Sequence, residues 1–210
     1  MSPATASGAT LSRLDDATRA LVRVSAALAG GSEADVREQL QVAFTTTPHD
    51  WIEELLLQTY LFAGFPRTLN GMREWRRLVR SPAAGGTPPA AERQLRQLGE
   101  TTCRLVYGSM YERLRVNIRE LHPLLDDWMI DEGYGKVLSR PGLDLPRREL
   151  CIVAACAATG QDRQLQSHLH GARNVGVPPD VLTELFTALR GVVENAPLSR
   201  AVRLWNRISA

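Results

Sequence analysis

The sequence predicts an all-α fold built as a tandem duplication of one helical unit, and three observations lead there. Ala, Leu and Arg are abundant, 44% of residues are apolar and only 6% are aromatic, a mixture that favours helices over sheets. Apolar residues recur at helical spacing along most of the chain, and nothing alternates convincingly with a period of two. Finally, residues 18–66 can be laid over 147–197.

Taken in order, Met1 to Thr10 is small and polar and reads, with the two residues after it, as a disordered lead spanning 1–12. Leu14, Leu21, Val24 and Leu28 then lie near one face of a first helix. Gly30-Gly31 ends it, and Ser32 caps the next, with Asp35 in its first turn. The second helix runs to about Phe44. A third spans about Asp50 to Phe62 and closes at Gly64 and Pro66, and a fourth spans about Arg67 to Val79. These make a first repeat over 13–80. Ser81 to Pro89, rich in Pro, Gly and Ala, is expected to be a loop, opening a connector over 81–132 with helices at 90–107, 110–121 and 123–132. Gly133 to Asp144 has three Gly and one Pro and is expected to be a non-helical connection. It opens a second repeat over 133–210, with helices at 145–158, 161–175, 178–194 and 198–208.

The repeat rests on more than apolar periodicity, which any two amphipathic helices share. A shift of 129 residues sets Thr18-Arg19-Ala20-Leu21 over Arg147-Arg148-Glu149-Leu150, and Gly31 over Gly160. One inserted residue then sets Glu54 over Glu184, and one more sets Pro66 over Pro197. A single unit of three or four helices is too small to bury its faces well, whereas a fused pair buries them mutually.

Several function classes are disfavoured. The net charge is +2 and the arginines are spread along the chain, with no basic stripe for a phosphate backbone, so nucleic acid is not an expected partner. The apolar runs fall far short of the ~20 residues of a membrane span. Three cysteines, Cys103, Cys151 and Cys156, do not make a secreted disulfide framework. Cys151 and Cys156 point ~140° apart on one helix and read as small buried residues. A cytoplasmic location follows as the default. His168, His170 and Glu184 lack the i, i+4 spacing that gathers ligands on one helix face, so no metal is expected. No phosphate-binding pattern follows Gly133-Tyr134-Gly135, so it is a turn and no nucleotide loop.

Leu138 to Leu150 reads LSRPGLDLPRREL and continues CIVAACAATGQDRQLQSHLHGARNVGV. This resembles the carboxymuconolactone decarboxylase-like family, in which an SRPGLD segment leads into a helix carrying Arg. There an Ala-rich helix, a Gly-centred turn, a His-bearing helix and a Glu-bearing helix follow. The first half resembles it at Glu54-Leu55-Leu56-Leu57-Gln58 and Ala63-Gly64-Phe65-Pro66-Arg67, and the connector at Gly99-Glu100 through Val106-Tyr107-Gly108. The resemblance implies an all-helical, ring-forming homo-oligomer, here a homotrimer, acting on a small molecule without a cofactor. Within the same superfamily, the alkylhydroperoxidase D-like peroxidases are similar at Glu149 and His168. Their paired cysteines, however, fall on Gln161 and Gln164 here, and glutamine supplies no thiolate.

The candidate catalytic residues are therefore Glu149, His168 and Glu184, with Arg148 as substrate-binding residue. A carboxylate beside an imidazole fixes its tautomer and makes a proton shuttle. An arginine fork suits a substrate carboxylate or developing enolate, and Glu184 would be a second acid or base. Each also has a purely structural reading, as an ion pair at a helix end or an interfacial histidine. His170, two residues on, points elsewhere and reads as a surface or subunit contact. In the first repeat Ala20 and Gln39 stand where Glu149 and His168 stand in the second. That repeat is thus expected to be structural, with Tyr60, Phe62 and Phe65 as a possible pocket wall. The expected activity is decarboxylation or proton transfer on a small carboxylated lactone or carbonyl compound. The alternatives are a peroxide or redox protein using a lone cysteine, Cys156 or Cys151, and a non-catalytic oligomeric binding or scaffold protein.

Overall fold

The computed structural model describes residues 11–80 and 91–209. Met1–Thr10 and the expected loop at Ser81–Pro89 lie outside the described residues. The end of the expected lead is corrected, because Leu11 is already buried in the core beside Leu14. Among the described residues there is no sheet, only an isolated bridge between Arg190 and Val193. The helices are α1 (Asp16–Gly30), α2 (Glu33–Thr46), α3 (His49–Val79), α4 (Glu92–Tyr107), α5 (Tyr111–Leu121) and α6 (Pro123–Trp128), then a π-helical segment (Met129–Leu138), and α7 (Leu145–Thr159), α8 (Asp162–Asn174), α9 (Pro179–Ala188) and α10 (Asn195–Ser209). No helix among the described residues is long and apolar enough to cross a membrane.

The helix ends follow from local chemistry. Ser32 and Asp35 form a reciprocal capping box at the start of α2, which satisfies two orphan N–H groups. Asp15 accepts the Thr18 N–H to cap α1, and Asp144 accepts the Arg147 N–H to cap α7. Gly160 ends α7 in the left-handed region (φ 67°), where a Cβ is unfavourable. The two helices expected over 50–79 run on as α3, divided at Gly64 (φ 81°, ψ 163°), with Pro66 in the first turn after the break. The expected helix over 178–194 stops at Ala188, and a turn with Gly191 at φ 78° precedes α10.

Helices α1 and α7 form the centre, and α7 is buried continuously from Arg147 to Ala157, as expected of a helix enclosed on all sides. The pair lies start to start and end to end. Arg147 Nε donates to Thr18 Oγ1 (2.9 Å), Ser25 Oγ donates to the Cys151 carbonyl (2.7 Å), and Gly30 abuts Ala158. Alanines and glycines along this seam let the backbones approach closely. Further features recur at the 129-residue shift: Arg19 donates to the Leu14 carbonyl and Arg148 to the Leu143 carbonyl.

One expectation is overturned outright. Gly133 to Asp144 was expected to be a connection, yet helical structure continues to Leu138. Within it Gly135 is a contact residue. Gly135 lies against the Leu95 carbonyl and Gly99 against the Ile130 carbonyl, and a Cβ at either would collide with backbone. Two glycines facing each other from α4 and the π-helical segment permit a backbone-to-backbone approach, and that packing outweighs their low helix propensity.

Candidate active site

Arg147, Arg148 and Glu149 are consecutive on α7 and all buried. A helix turns each ~100° from the last, so the three reach three different neighbourhoods. Arg147 turns to α1, pairing with Asp15 and lying over the Trp51 ring. Arg148 turns to α3, and Glu149 turns to α8.

Arg148 has no solvent exposure. Its Nε donates to the Leu143 carbonyl, Nη1 to Gln58 Oε1 (3.2 Å), and Nη2 to Glu54 Oε2 (2.8 Å) and the Arg140 carbonyl. Arg140 pairs with the same Glu54 carboxylate. Burial pulls the Arg148 guanidinium below its usual range while Glu54 works against that shift. The expected role in substrate binding is therefore corrected: four of its N–H groups are committed inside the protein and no face is open to a ligand. Glu184 lies on α9. Its carboxylate accepts the Leu14 N–H (3.0 Å), and no hydrogen bond joins it to Glu149 or His168.

The turn at Gly160 folds α8 back along α7, and His168 Nδ1 lies 2.8 Å from Glu149 Oε2. Glu149 is fully buried and His168 is 7% exposed. Room for the carboxylate comes from Gly171, where a Cβ would sit 2.7 Å from Val106 and 2.8 Å from Glu149 Oε2. With Glu149 ionised, Nδ1–H is the donor and the imidazole tautomer is set, leaving Nε2 as the working nitrogen. Nε2 has no hydrogen-bond partner among the described residues. Phe62 meets the imidazole edge-on at 5.8 Å and Tyr107 at 6.5 Å, and Tyr134 stands behind Tyr107 at 6.2 Å. Glu149 Oε1 is buried with no partner among the described residues, an arrangement that calls for a specific reason in a folded protein.

Burial keeps the thiols and phenols around the dyad protonated. Burial, with the Glu149 charge added, pushes the Cys156 thiol up to about 12. Burial likewise pushes Cys103 up to about 12, the effect of Glu149 being opposed by Arg115. The hydroxyls of Tyr107 and Tyr134 are raised by burial and by neighbouring groups that include Glu149. Cys151, fully buried beside α1, also rises to about 12. All three thiols are buried, whereas the reacting species of thiol-peroxide chemistry is an accessible thiolate. No three His, Cys, Asp or Glu side chains gather to hold a metal among the described residues.

The dyad is tightly enclosed, both side chains being buried. A groove of about 580 Å³ runs between the α4–α5 corner and α8 and has Tyr107 and His170 in its lining.

The sequence of residues 123–206 matches the carboxymuconolactone decarboxylase family. This segment holds α7, α8 and both members of the dyad. The chain is a carboxymuconolactone decarboxylase-like protein. Two curated relatives place it further. It is 30% identical over 128 residues to Peroxisomal protein 2 of Schizosaccharomyces pombe, covering 60% of each chain. It is 33% identical over 70 residues to 4-carboxymuconolactone decarboxylase of Acinetobacter baylyi, covering 33% of this chain and 52% of that enzyme. The chain thus spans less than two thirds of the length of either relative it matches.

Sequence reasoning for this carboxymuconolactone decarboxylase-like chain missed Tyr107, Tyr134 and Gly171 as neighbours of the dyad. Phe62, expected as a pocket wall, does reach His168 from the first half, whereas Tyr60 turns away to Glu132 and Phe65 is largely exposed. The pairing of Glu54 with Arg148 was also missed, although the repeat alignment held the clue: the matched Arg and Glu recur in both halves, so each had an available counterpart.

Proposed function

We propose that the protein is a cofactor-free acid/base enzyme that removes carbon dioxide from, or moves a proton on, a small carboxylated lactone or related carbonyl compound. The observation that carries this reading is the buried 2.8 Å bond from His168 Nδ1 to Glu149, which leaves Nε2 free. Glu149 holds the ring and stabilises its protonated form, and His168 carries the proton at Nε2. In decarboxylation the bond to the carboxylate breaks, and its electron pair passes into an enolate beside the lactone carbonyl. Protonated His168 then gives its Nε2 proton to carbon, and solvent restores that proton. The name of the bacterial relative supplies the first substrate to try, 4-carboxymuconolactone. Carbon dioxide release by the wild-type protein, lost by about 10²–10⁴-fold in His168→Gln, is the expected result. Equal rates in the two proteins would defeat the reading.

The duplication of 13–80 as 133–210 and a homotrimeric assembly belong to the same proposal. The trimer draws support from Leu105, Leu121 and Trp128, apolar side chains each more than half exposed on α4–α6, a pattern that marks interaction surfaces. Light scattering that gives a monomer mass would remove it. The cytoplasm is the proposed location, with the peroxisome of the yeast relative's name as the competing one.

A second reading, a non-catalytic oligomeric binding protein, draws on the enclosure of the dyad. Glu149 has no exposure and His168 is 7% exposed. Under it, His168→Gln changes stability but no reaction.

A further inference from the structure

We infer that the groove between the α4–α5 corner and α8 is a binding site for a small organic carboxylate with an apolar or aromatic body. Its volume of about 580 Å³ lies within the range of small-molecule sites, ~300–1,000 Å³. The apolar part of its lining comes from Val106, Tyr107, Met110 and Leu114. Arg113 and His170 also line it and would be the groups that select an anion. Neither has an ion pair or side-chain hydrogen bond among the described residues, so both are free to donate to a carboxylate. An arginine fork does so with two parallel bonds.

The construction of the groove supports a site rather than an accidental surface gap. Asn174 Nδ2 donates to the Val106 carbonyl (2.8 Å) and ties the end of α8 to the end of α4. Gly108, at φ 53°, turns the chain sharply between α4 and α5. The groove is therefore framed by two elements tied together across it. Tyr107 forms a partition, with one side facing the groove and its ring 6.5 Å from the His168 ring on the other. Val106 is likewise shared, lining the groove while lying beside the space that Gly171 leaves for Glu149. A carboxylate held by Arg113 and His170 lies one aromatic ring away from the dyad. This also gives His170, on the opposite side of α8 from the dyad contact, a task of its own.

Taking the bound carboxylate to be the substrate rests on the acid/base reading above, but the binding itself does not. The test is calorimetric titration of the full chain with benzoate, and with benzyl alcohol as a neutral analogue of similar shape. Benzoate is expected to bind saturably and the alcohol at least about tenfold more weakly. Arg113→Met is expected to weaken benzoate by about tenfold or more, because one charge-assisted pair is lost. Arg203→Met serves as control, since Arg203 lies in a separate groove between α9 and α10, and it should leave binding unchanged. Absence of saturable benzoate binding, equal binding of the alcohol, or equal weakening by Arg203→Met would each overturn the inference. Benzoate binding without any turnover would sink the enzymatic reading and leave the groove standing. Turnover that neither benzoate nor Arg113→Met affects would leave the enzymatic reading standing and detach the groove from the reaction, its benzoate binding being decided by the titration alone.

Discussion

Ala20 on α1 and Glu149 on α7 stand 129 residues apart, as do Gln39 on α2 and His168 on α8. Around these positions the two halves share a frame. Asp15 and Asp144 cap the paired helices, Arg19 and Arg148 donate to matching leucine carbonyls, and Gly31 and Gly160 end them. They differ in what the frame encloses. In the second half a buried carboxylate meets a buried imidazole. In the first half Gln39 accepts a hydrogen bond from Arg23 Nε (2.9 Å), and Arg23 continues to the carbonyls of Ala188 and Arg190. An amide and a guanidinium satisfy buried polar atoms as well as the dyad does, but near neutral pH neither exchanges a proton. Helix ends and the central seam are thus requirements of packing. The Glu–His pair is an addition that packing does not demand.

The largest expected effect lies in the shared frame. Arg148→Met takes one of two guanidinium partners from Glu54, leaving Arg140, and strips the donor from Gln58 and from the Leu143 and Arg140 carbonyls. Removing one partner of a buried pair costs at most about 3–5 kcal/mol. Denaturant unfolding measures it, and a loss under about 1 kcal/mol would mean that the Arg148–Glu54 contact is incidental. Next comes the space that only the second half needs. Gly171→Ala forces a methyl against Val106 and Glu149 Oε2 and should cost about 1–3 kcal/mol together with any activity. Normal stability and turnover in that variant would show that the dyad tolerates displacement.

Installing the first half's pair in the second, Glu149→Ala with His168→Gln, should leave a folded protein, at a cost below about 2 kcal/mol because both charges go together. Unfolding as severe as that of Arg148→Met would mean that the dyad is itself structural. The smallest effect concerns pH. The folded Cys156 pKa, about 12, is raised above its ordinary 9.0. The buried thiol's contribution to stability is therefore complete below pH 9 and is lost as pH rises toward 12, because the unfolded chain releases its proton first. Between about pH 8 and 9.5 the wild-type protein should lose about 1 kcal/mol more stability than Cys156→Ala. Parallel curves would show that the thiol is accessible.

The fold was largely legible because its signals are local. Ser32 with Asp35, Gly160 and the apolar spacing of α1 each specify their element from neighbouring residues. Gly133 to Leu138 was misread because its helicity depends on a partner: Gly135 and Gly99 are 36 residues apart and make sense only once α4 lies across them. The dyad residues could be named from sequence, but the fate of Arg148 could not. A guanidinium on a helix looks the same whether it meets a substrate or Glu54, and only tertiary packing decides between them. Tyr107 and Gly171 carry no chemical signature of their own and became visible through the space they fill or leave.

The claim that reactivity belongs to one half only is tested most directly by carbon dioxide release from 4-carboxymuconolactone in His168→Gln and Gln39→Ala, measured beside the wild-type protein. The account expects the first variant to lose the reaction and the second to retain it wherever it remains folded. Retention in His168→Gln, or equal loss in both folded variants, would contradict it.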